Sequence, residues 1–205
     1  MAEETPNTVT PEMLAKLRTM AESGDAEAQF RLGVLYGNGE GVDLDREQAM
    51  AWFKQSARQG HEDALITMAW MYANGSGVDT DEAKARELYQ LAADHGSVKA
   101  MYVVGTMYRF AQYGAEKDIA KAIHYYTEAA NKNFGAAQFA LGRMLMDGKQ
   151  VERDPIVALQ WLMLADSNGS KRAEDYIKHL LAQMTPEEIE QARSSMLGKD
   201  INLLL

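Results

Sequence analysis

The 205 residues contain no cysteine, which excludes disulfide frameworks, thiolate catalysis and cysteine-ligated zinc. Histidine is scarce, and His61, His95, His124 and His179 stand in unrelated contexts with no metal-ligand spacing among them. Basic residues are outnumbered, 21 Lys and Arg against 30 Asp and Glu, for a formal charge of −9. That balance argues against nucleic acid as a partner, because phosphate binding depends on Lys and Arg neutralising the backbone. No run approaches the roughly 18 apolar residues that a membrane-spanning helix needs. The first residues, Met1-Ala2-Glu3-Glu4-Thr5-Pro6, have neither the basic region nor the apolar stretch of a secretory signal, so the expected location is cytoplasmic. No glycine loop is followed by Lys-Ser or Lys-Thr. These absences leave no catalytic constellation, and the expectation is a non-enzyme that needs no cofactor or metal.

What is present is a repeat. Gly24, Gly60 and Gly96 lie 36 residues apart, and Asn133 and Gly169 continue the series with one interval of 37. In the same register run Ala28, Ala64, Ala100, Ala137 and Ala173, then Gly33, Ala69, Gly105 and Gly142. Asp45, Asp81, Asp118 and Asp154 form another column, and so do Ala49, Ala85, Ala122 and Ala158. Self-similarity at this period is the signature of a stacked-repeat architecture.

Each unit reads as two helices. The first runs from about Ala26 to Tyr36, with Phe30, Leu32, Leu35 and Tyr36 giving an apolar helical pattern. It stops at Gly37-Asn38-Gly39-Glu40-Gly41, where glycine supplies the positive φ that closes a helix. Asp45 is placed to cap the second helix, accepting from its free N–H groups, and Pro155 after Asp154 is the favoured first helical residue. The alanine and glycine columns leave room for two backbones to approach, with Tyr36 and Trp52 expected to fill the space between them. One such hairpin cannot bury its apolar face alone, so neighbours must stack.

The predicted architecture is all-α, a superhelical solenoid of four to five helix-turn-helix repeats with capping helices. Its expected divisions are a disordered tail over 1–9, a capping helix over 10–24, and full repeats over 25–60, 61–96, 97–133 and 134–169. A partial repeat over 170–184, a second capping helix over 185–197 and an apolar tail over 198–205 complete it.

The run Ala28-Gln29-Phe30-Arg31-Leu32-Gly33-Val34-Leu35-Tyr36, then Gly39-Glu40-Gly41-Val42, Asp45, Ala49, Trp52-Phe53 and Ser56-Ala57, resembles the Sel-one-like repeat, a relative of the tetratricopeptide repeat. The resemblance covers about residues 24–184. The third copy departs most, its loop reading Arg109-Phe110-Ala111-Gln112-Tyr113-Gly114-Ala115 without the usual glycine pair. The resemblance implies a right-handed superhelix and adaptor or scaffold work through a concave groove lined by the first helices. Carried through the register, the inward columns hold Glu27, Phe30, Val34 and Asn38, then Asp63, Ile66, Trp70 and Asn74. The third unit adds Lys99, Tyr102, Thr106, Arg109 and Phe110, and the fourth Ala136, Phe139, Arg143 and Met146.

Candidate partner-binding residues are therefore Asn38, Trp70, Asn74, Tyr102, Arg109, Phe110, Tyr113, Phe139 and Arg143. Aromatic residues and Arg dominate binding hot spots, and Arg suits bidentate carboxylate recognition. The expected partner is a protein or peptide segment with an acidic or C-terminal carboxylate group near Arg109 and Arg143. Tyr102 and Phe139 have a competing reading as packing between repeats, since their column is apolar throughout. Charge by segment is asymmetric: residues 61–96 carry two basic and seven acidic groups, residues 97–133 five basic and three acidic. The alternative function is self-association through terminal helices or the tail Gly198-Lys199-Asp200-Ile201-Asn202-Leu203-Leu204-Leu205. Replacing Phe110 and Tyr113 together by Ala is expected to weaken partner capture while leaving the melting temperature unchanged. A lowered melting temperature with intact capture would reduce that loop to packing.

Overall fold

A computed structural model describes residues 9–197, and every regular element among them is an α-helix. The expected N-terminal tail through residue 8, and the apolar tail over 198–205, lie outside the described residues. The chain divides into two compact units, the first ending at Ser97 and the second beginning at Val98. The first unit holds α1 (Pro11–Glu22), α2 (Ala26–Asn38), α3 (Arg46–Ala57), α4 (Glu62–Asn74) and α5 (Glu82–Asp94). The second holds α6 (Val98–Phe110), α7 (Ile119–Asn131), α8 (Gly135–Asp147), α9 (Pro155–Ser167), α10 (Ala173–Leu181) and α11 (Pro186–Leu197). None of these helices is long and apolar enough to cross a membrane.

The helix starts follow from local chemistry. Asp45, Asp81, Asp118 and Asp154 each accept a hydrogen bond from a first-turn backbone N–H through the side chain. A cap of this kind contributes about 1 kcal/mol. Thr10 caps α1 in the same way. At α11 the capping is reciprocal: Thr185 Oγ1 accepts from the Glu188 N–H, and Glu188 Oε2 accepts from the Thr185 N–H at 2.8 Å. Helices α2, α4 and α8 end on Gly39, Gly75 and Gly148, all left-handed. In the third repeat the same reversal is made by Ala111, Tyr113 and Gly114, with φ of 53°, 51° and 65°. Two side-chain-bearing residues take the left-handed conformation there, at some cost in backbone energy.

Every loop inside a hairpin returns to the same anchor. The N–H of the capping Asp donates to the carbonyl of the residue nine or ten positions earlier: Asp45 to Tyr36, Asp81 to Tyr72 and Asp118 to Tyr108 at 2.9 Å, Asp154 to Leu145 at 3.1 Å. The extra residue of the third loop is absorbed between these fixed ends.

The small columns work as their spacing suggests, but the filler is one residue further on than expected. A Cβ built on Gly33 would meet the Phe53 ring at 2.6 Å, on Gly105 the Tyr126 ring at 2.8 Å and on Gly142 the Leu162 side chain at 2.7 Å. Phe53, Tyr126 and Leu162 are all buried. Tyr36 and Trp52 instead pack, partly buried, against the cluster of Ala21, Ala28 and Leu32. The reason is angular: residues 33 and 53 face each other across one hairpin, while 36 and 52 lie toward the preceding helix.

Within each unit, stacking is tied by side-chain bonds as well as apolar contact. Gln29 donates to the Ala21 carbonyl and accepts from Gln59; in the second unit Gln138 donates to the Ala130 carbonyl and accepts from Asn168. In the second unit α9 is buried on more than one face. Helix α11 lies against it, Gln160 donates to the Ala192 carbonyl at 3.2 Å, and Trp161 is 2% exposed. At Gly135 a helix start meets backbone closely, since an added Cβ would lie 2.7 Å from the Asn168 carbonyl oxygen and 3.2 Å from that of Ala165. Backbone atoms cannot swing aside, so Gly135→Ala is expected to cost about 1–3 kcal/mol, read as a lower urea midpoint with an unchanged slope.

Candidate functional site

The first-helix columns separate into residues held by their neighbours and residues left facing solvent. In the first unit Glu27 accepts from His61 Nε2 at 2.9 Å and pairs with Arg31 one turn on. His61 Nδ1 meanwhile accepts the Ala64 N–H, so this imidazole is the cap of α4. Hydrogen bonding from His61 and then Arg31 holds the Glu27 carboxyl below the usual carboxylate range. Phe30 stacks on the His61 ring with centroids 4.8 Å apart. The column at position 30 therefore ties one repeat to the cap of the next.

Trp70, one position further along the face, is 52% exposed. It shares a small cavity of about 140 Å³ with Asn38, Val34, Phe53, Thr67 and Met71. Asn38 donates to Glu40, and Asn74 donates to the Trp70 carbonyl at 2.8 Å. Asn74 thus closes the end of α4, and Trp70 is the exposed apolar group on this part of the first unit.

In the second unit Tyr102 rests against Tyr126 and Phe134, with centroids 5.7 and 5.6 Å apart, and Phe139 meets Tyr176 edge-on at 5.1 Å. Both rings are part of the packing between successive elements, as their competing reading holds. Arg143 lies beside this ring pair, 5.9 and 5.3 Å from the Phe139 and Tyr176 centroids, and reaches Asp147 at 3.7 Å. Its guanidinium already rests against two rings and faces one carboxylate, while its buried Nε has no hydrogen-bond partner. Arg109 sits differently: Nε donates to Gln150 at 2.9 Å, and the guanidinium covers the Phe110 ring at 5.0 Å. Phe110 is 56% exposed, whereas Tyr113 is half-buried. The two loop aromatics therefore divide, one projecting and one folded back.

A cavity of about 360 Å³ opens beside Arg109 and Phe110, lined also by Lys117, Met144, Asp147, Lys149 and Gln150. Three cations and one carboxylate line it, and that carboxylate already faces Arg143. Lys117, Lys149 and Gln150 were not singled out from sequence, because they come from two different loops. The basic balance of residues 97–133 signals Lys117 alone, since Lys149 and Gln150 lie beyond that segment, and it does not say where the charges converge. Among the described residues no group of three or more His, Asp or Glu could hold a metal ion.

Capped hairpins repeating at 36 to 37 residues and nesting in sequence order within each unit define an all-α repeat solenoid. The family model for the Sel1 repeat matches residues 26–61, 63–97, 98–134 and 135–165, and the chain belongs to that family, whose fold serves in general as a non-catalytic scaffold for protein interactions. Among solved structures it is similar to a Sel1 repeat protein from Oxalobacter formigenes, at 29% identity and a TM-score of 0.77 over 92% of this chain and 79% of that one. It is also similar to a protective antigen of uropathogenic Escherichia coli strains displaying an SLR fold, at 29% identity and a TM-score of 0.79 over 89% of this chain. The match spans 41% of that antigen. Immunity protein Pa5087 from Pseudomonas aeruginosa shares the fold, at 19% identity and a TM-score of 0.56 over 97% of this chain and 78% of that one. No curated protein matches the chain.

The lowered Glu27 carboxyl has a consequence for stability. A depressed acid contributes stability above its unfolded pKa and loses it as the pH falls through the folded value. Because Glu27 is about half exposed, the effect is expected to be under about 1 kcal/mol. Glu27→Gln should flatten the acid limb of the stability curve below pH 4.5, measured by urea unfolding at stepped pH; an unchanged acid limb would mean the pair adds nothing.

Proposed function

We propose that this protein is a non-enzymatic adaptor that binds a segment of another protein along the first helices of its second unit. A carboxylate of the partner is seated by Arg109, Lys117 and Lys149, and an apolar side chain lies against Phe110 and Met144. The cationic cavity of about 360 Å³ beside an exposed aromatic ring is the observation that carries this reading. Arg109 keeps its guanidinium fixed by Gln150 and Phe110, so less side-chain entropy is lost when a carboxylate arrives. Arg143 takes a supporting part: it holds Asp147 at the cavity edge instead of meeting the partner. Trp70 and Asn38 offer a second, smaller contact in the first unit.

Hydrogen bonds to charged groups are worth about 1.5–3 kcal/mol each, and about 1.4 kcal/mol is tenfold in affinity. Affinity capture from the native host, with quantitative mass spectrometry, should find specific interactors depleted at least about tenfold by Arg109→Ala with Lys149→Ala. The variant should melt as the wild type does. Interactors retained equally by both proteins would remove the carboxylate seat, whereas Arg143→Ala should lower the melting temperature because it strips the Phe139 and Tyr176 rings of the guanidinium packed beside them.

A further inference from the structure

The first helices of successive repeats start on different chemistry. The equivalent positions ahead of α2, α4, α6 and α8 are Asp25, His61, Ser97 and Phe134. Asp25 caps α2 with a carboxylate that accepts the Ala28 N–H at 2.7 Å, and Phe134 gives α8 no side-chain cap. His61 caps α4 with an imidazole, whose Nδ1 accepts the Ala64 N–H at 3.3 Å. An imidazole has two ring nitrogens, and its proton count decides which of them can accept.

Both nitrogens of His61 are committed. Nε2 lies 2.9 Å from Glu27 Oε2, an ionised carboxylate that can only accept, so Nε2 carries a hydrogen. Nδ1 must keep its lone pair to take the Ala64 N–H, which leaves the neutral ring protonated on Nε2 alone. The ring is stacked on Phe30, and its side chain is 16% exposed. Hydrogen bonds from this ring and then from Arg31 hold the Glu27 carboxyl below the usual carboxylate range, so it stays an anion in mildly acid solution.

A proton added at Nδ1 treats the two bonds oppositely. The bond to Glu27 survives and becomes an ion pair with donor and acceptor both charged. The bond to Ala64 fails, because Nδ1 becomes a donor facing another donor. The new positive charge also stands at the N-terminus of α4, where the helix dipole opposes it. The other charged groups around the ring are Arg31 on α2, which shares Glu27, and Glu62 and Asp63 in the first turn of α4. Arg58 closes α3 three residues earlier, and His95, at the end of α5, has Nδ1 2.9 Å from where a Cβ on Gly60 would stand.

We infer that His61 is a proton-operated clasp between the first two repeats. Neutral, it joins α2 to the capped start of α4; protonated, it stays on Glu27 and releases that start. The arrangement belongs to this joint: the corresponding pairs further on are Asp63 with Ser97 and Lys99 with Phe134, neither of which holds an imidazole. Helices α2 and α4 also wall the small cavity beside Trp70, so the clasp acts on the two helices around the first unit's exposed ring. It is independent of the carboxylate seat in the second unit.

The test follows the Ala64 amide and the His61 ring of the full, isotope-labelled chain by NMR from about pH 8 to pH 5. At the alkaline end Nε2 should carry the hydrogen, and a scalar coupling between the Ala64 nitrogen and Nδ1 should mark the cap. As the ring takes up its proton the coupling should vanish. The exchange protection factor of the Ala64 amide should fall in step, at least about fivefold for a lost cap. The Gln48 and Lys84 amides, capped by Asp45 and Asp81, should keep their protection. His61→Asn, a capping residue that does not titrate, should hold Ala64 protection constant, and His95→Gln should leave the wild-type transition in place. Protection that stays flat while the ring titrates, a hydrogen on Nδ1 at the alkaline end, or a ring that takes up no proton by the acid end overturns the clasp. So does a fall that persists in His61→Asn or disappears in His95→Gln, since another group would then be responsible. The wild-type measurements decide the matter even where a variant fails to fold.

Discussion

The two helices of each hairpin lie so close that a carbonyl of the second meets the place where a Cβ on the first would stand. The separations are 3.2 Å for Ala49 and Gly33, 3.2 Å for Ala122 and Gly105, and 3.1 Å for Ala158 and Gly142. Much of the architecture follows from that approach. It confines positions 33 and 49 to Gly or Ala, seats a ring or leucine from position 53 in the notch, and requires a loop whose ends meet at one backbone hydrogen bond. Interiors are dense enough that a single added carbon is felt, so the constraint acts on each repeat separately and keeps the array periodic.

Because the small columns are committed to this contact, variety is found on the rest of the first helix. Position 34 is Val34, Trp70, Thr106 and Arg143 in successive repeats. The capped geometry holds all four in comparable places, and the side chain alone sets what each does. The position is exposed at Trp70 and packed beside two rings at Arg143. An interaction scaffold needs that division between an invariant packing frame and a face free to differ, and solenoids supply it by stacking units that each contact their neighbours.

The ends of the array depart from the repeat, each in its own way. Helix α11 lies along α9, where Gln160, buried against Ala192, takes the place that Ala51, Glu87 and His124 hold exposed in earlier repeats. The sequence of α9 is accordingly apolar around most of its circumference. At the other end α1 covers the Ala21, Ala28 and Leu32 cluster with Leu14 and Leu17, yet offers methionines where the first full repeat has Ala49 and Ser56.

Helix positions, aspartate caps, glycine reversals and small columns were legible from sequence, because each is a local or strictly periodic demand: a cap bonds three residues on, and a column recurs every 36. The filler was placed one residue early, at Trp52 in place of Phe53, since period alone does not say which way a side chain turns. Less of the candidate site was legible. That Arg143 would be held by Tyr176 and Asp147, that Phe110 would project while Tyr113 folded back, and that Lys117 and Lys149 would gather beside Arg109 are all matters of tertiary placement. Sequence by itself determined the repeating frame, because backbone geometry and close packing permit few residue types at each position. Tertiary structure alone decided which side chains are spent on packing and which remain for a partner, because that depends on the direction of neighbours 30 to 40 residues away, which no local pattern encodes.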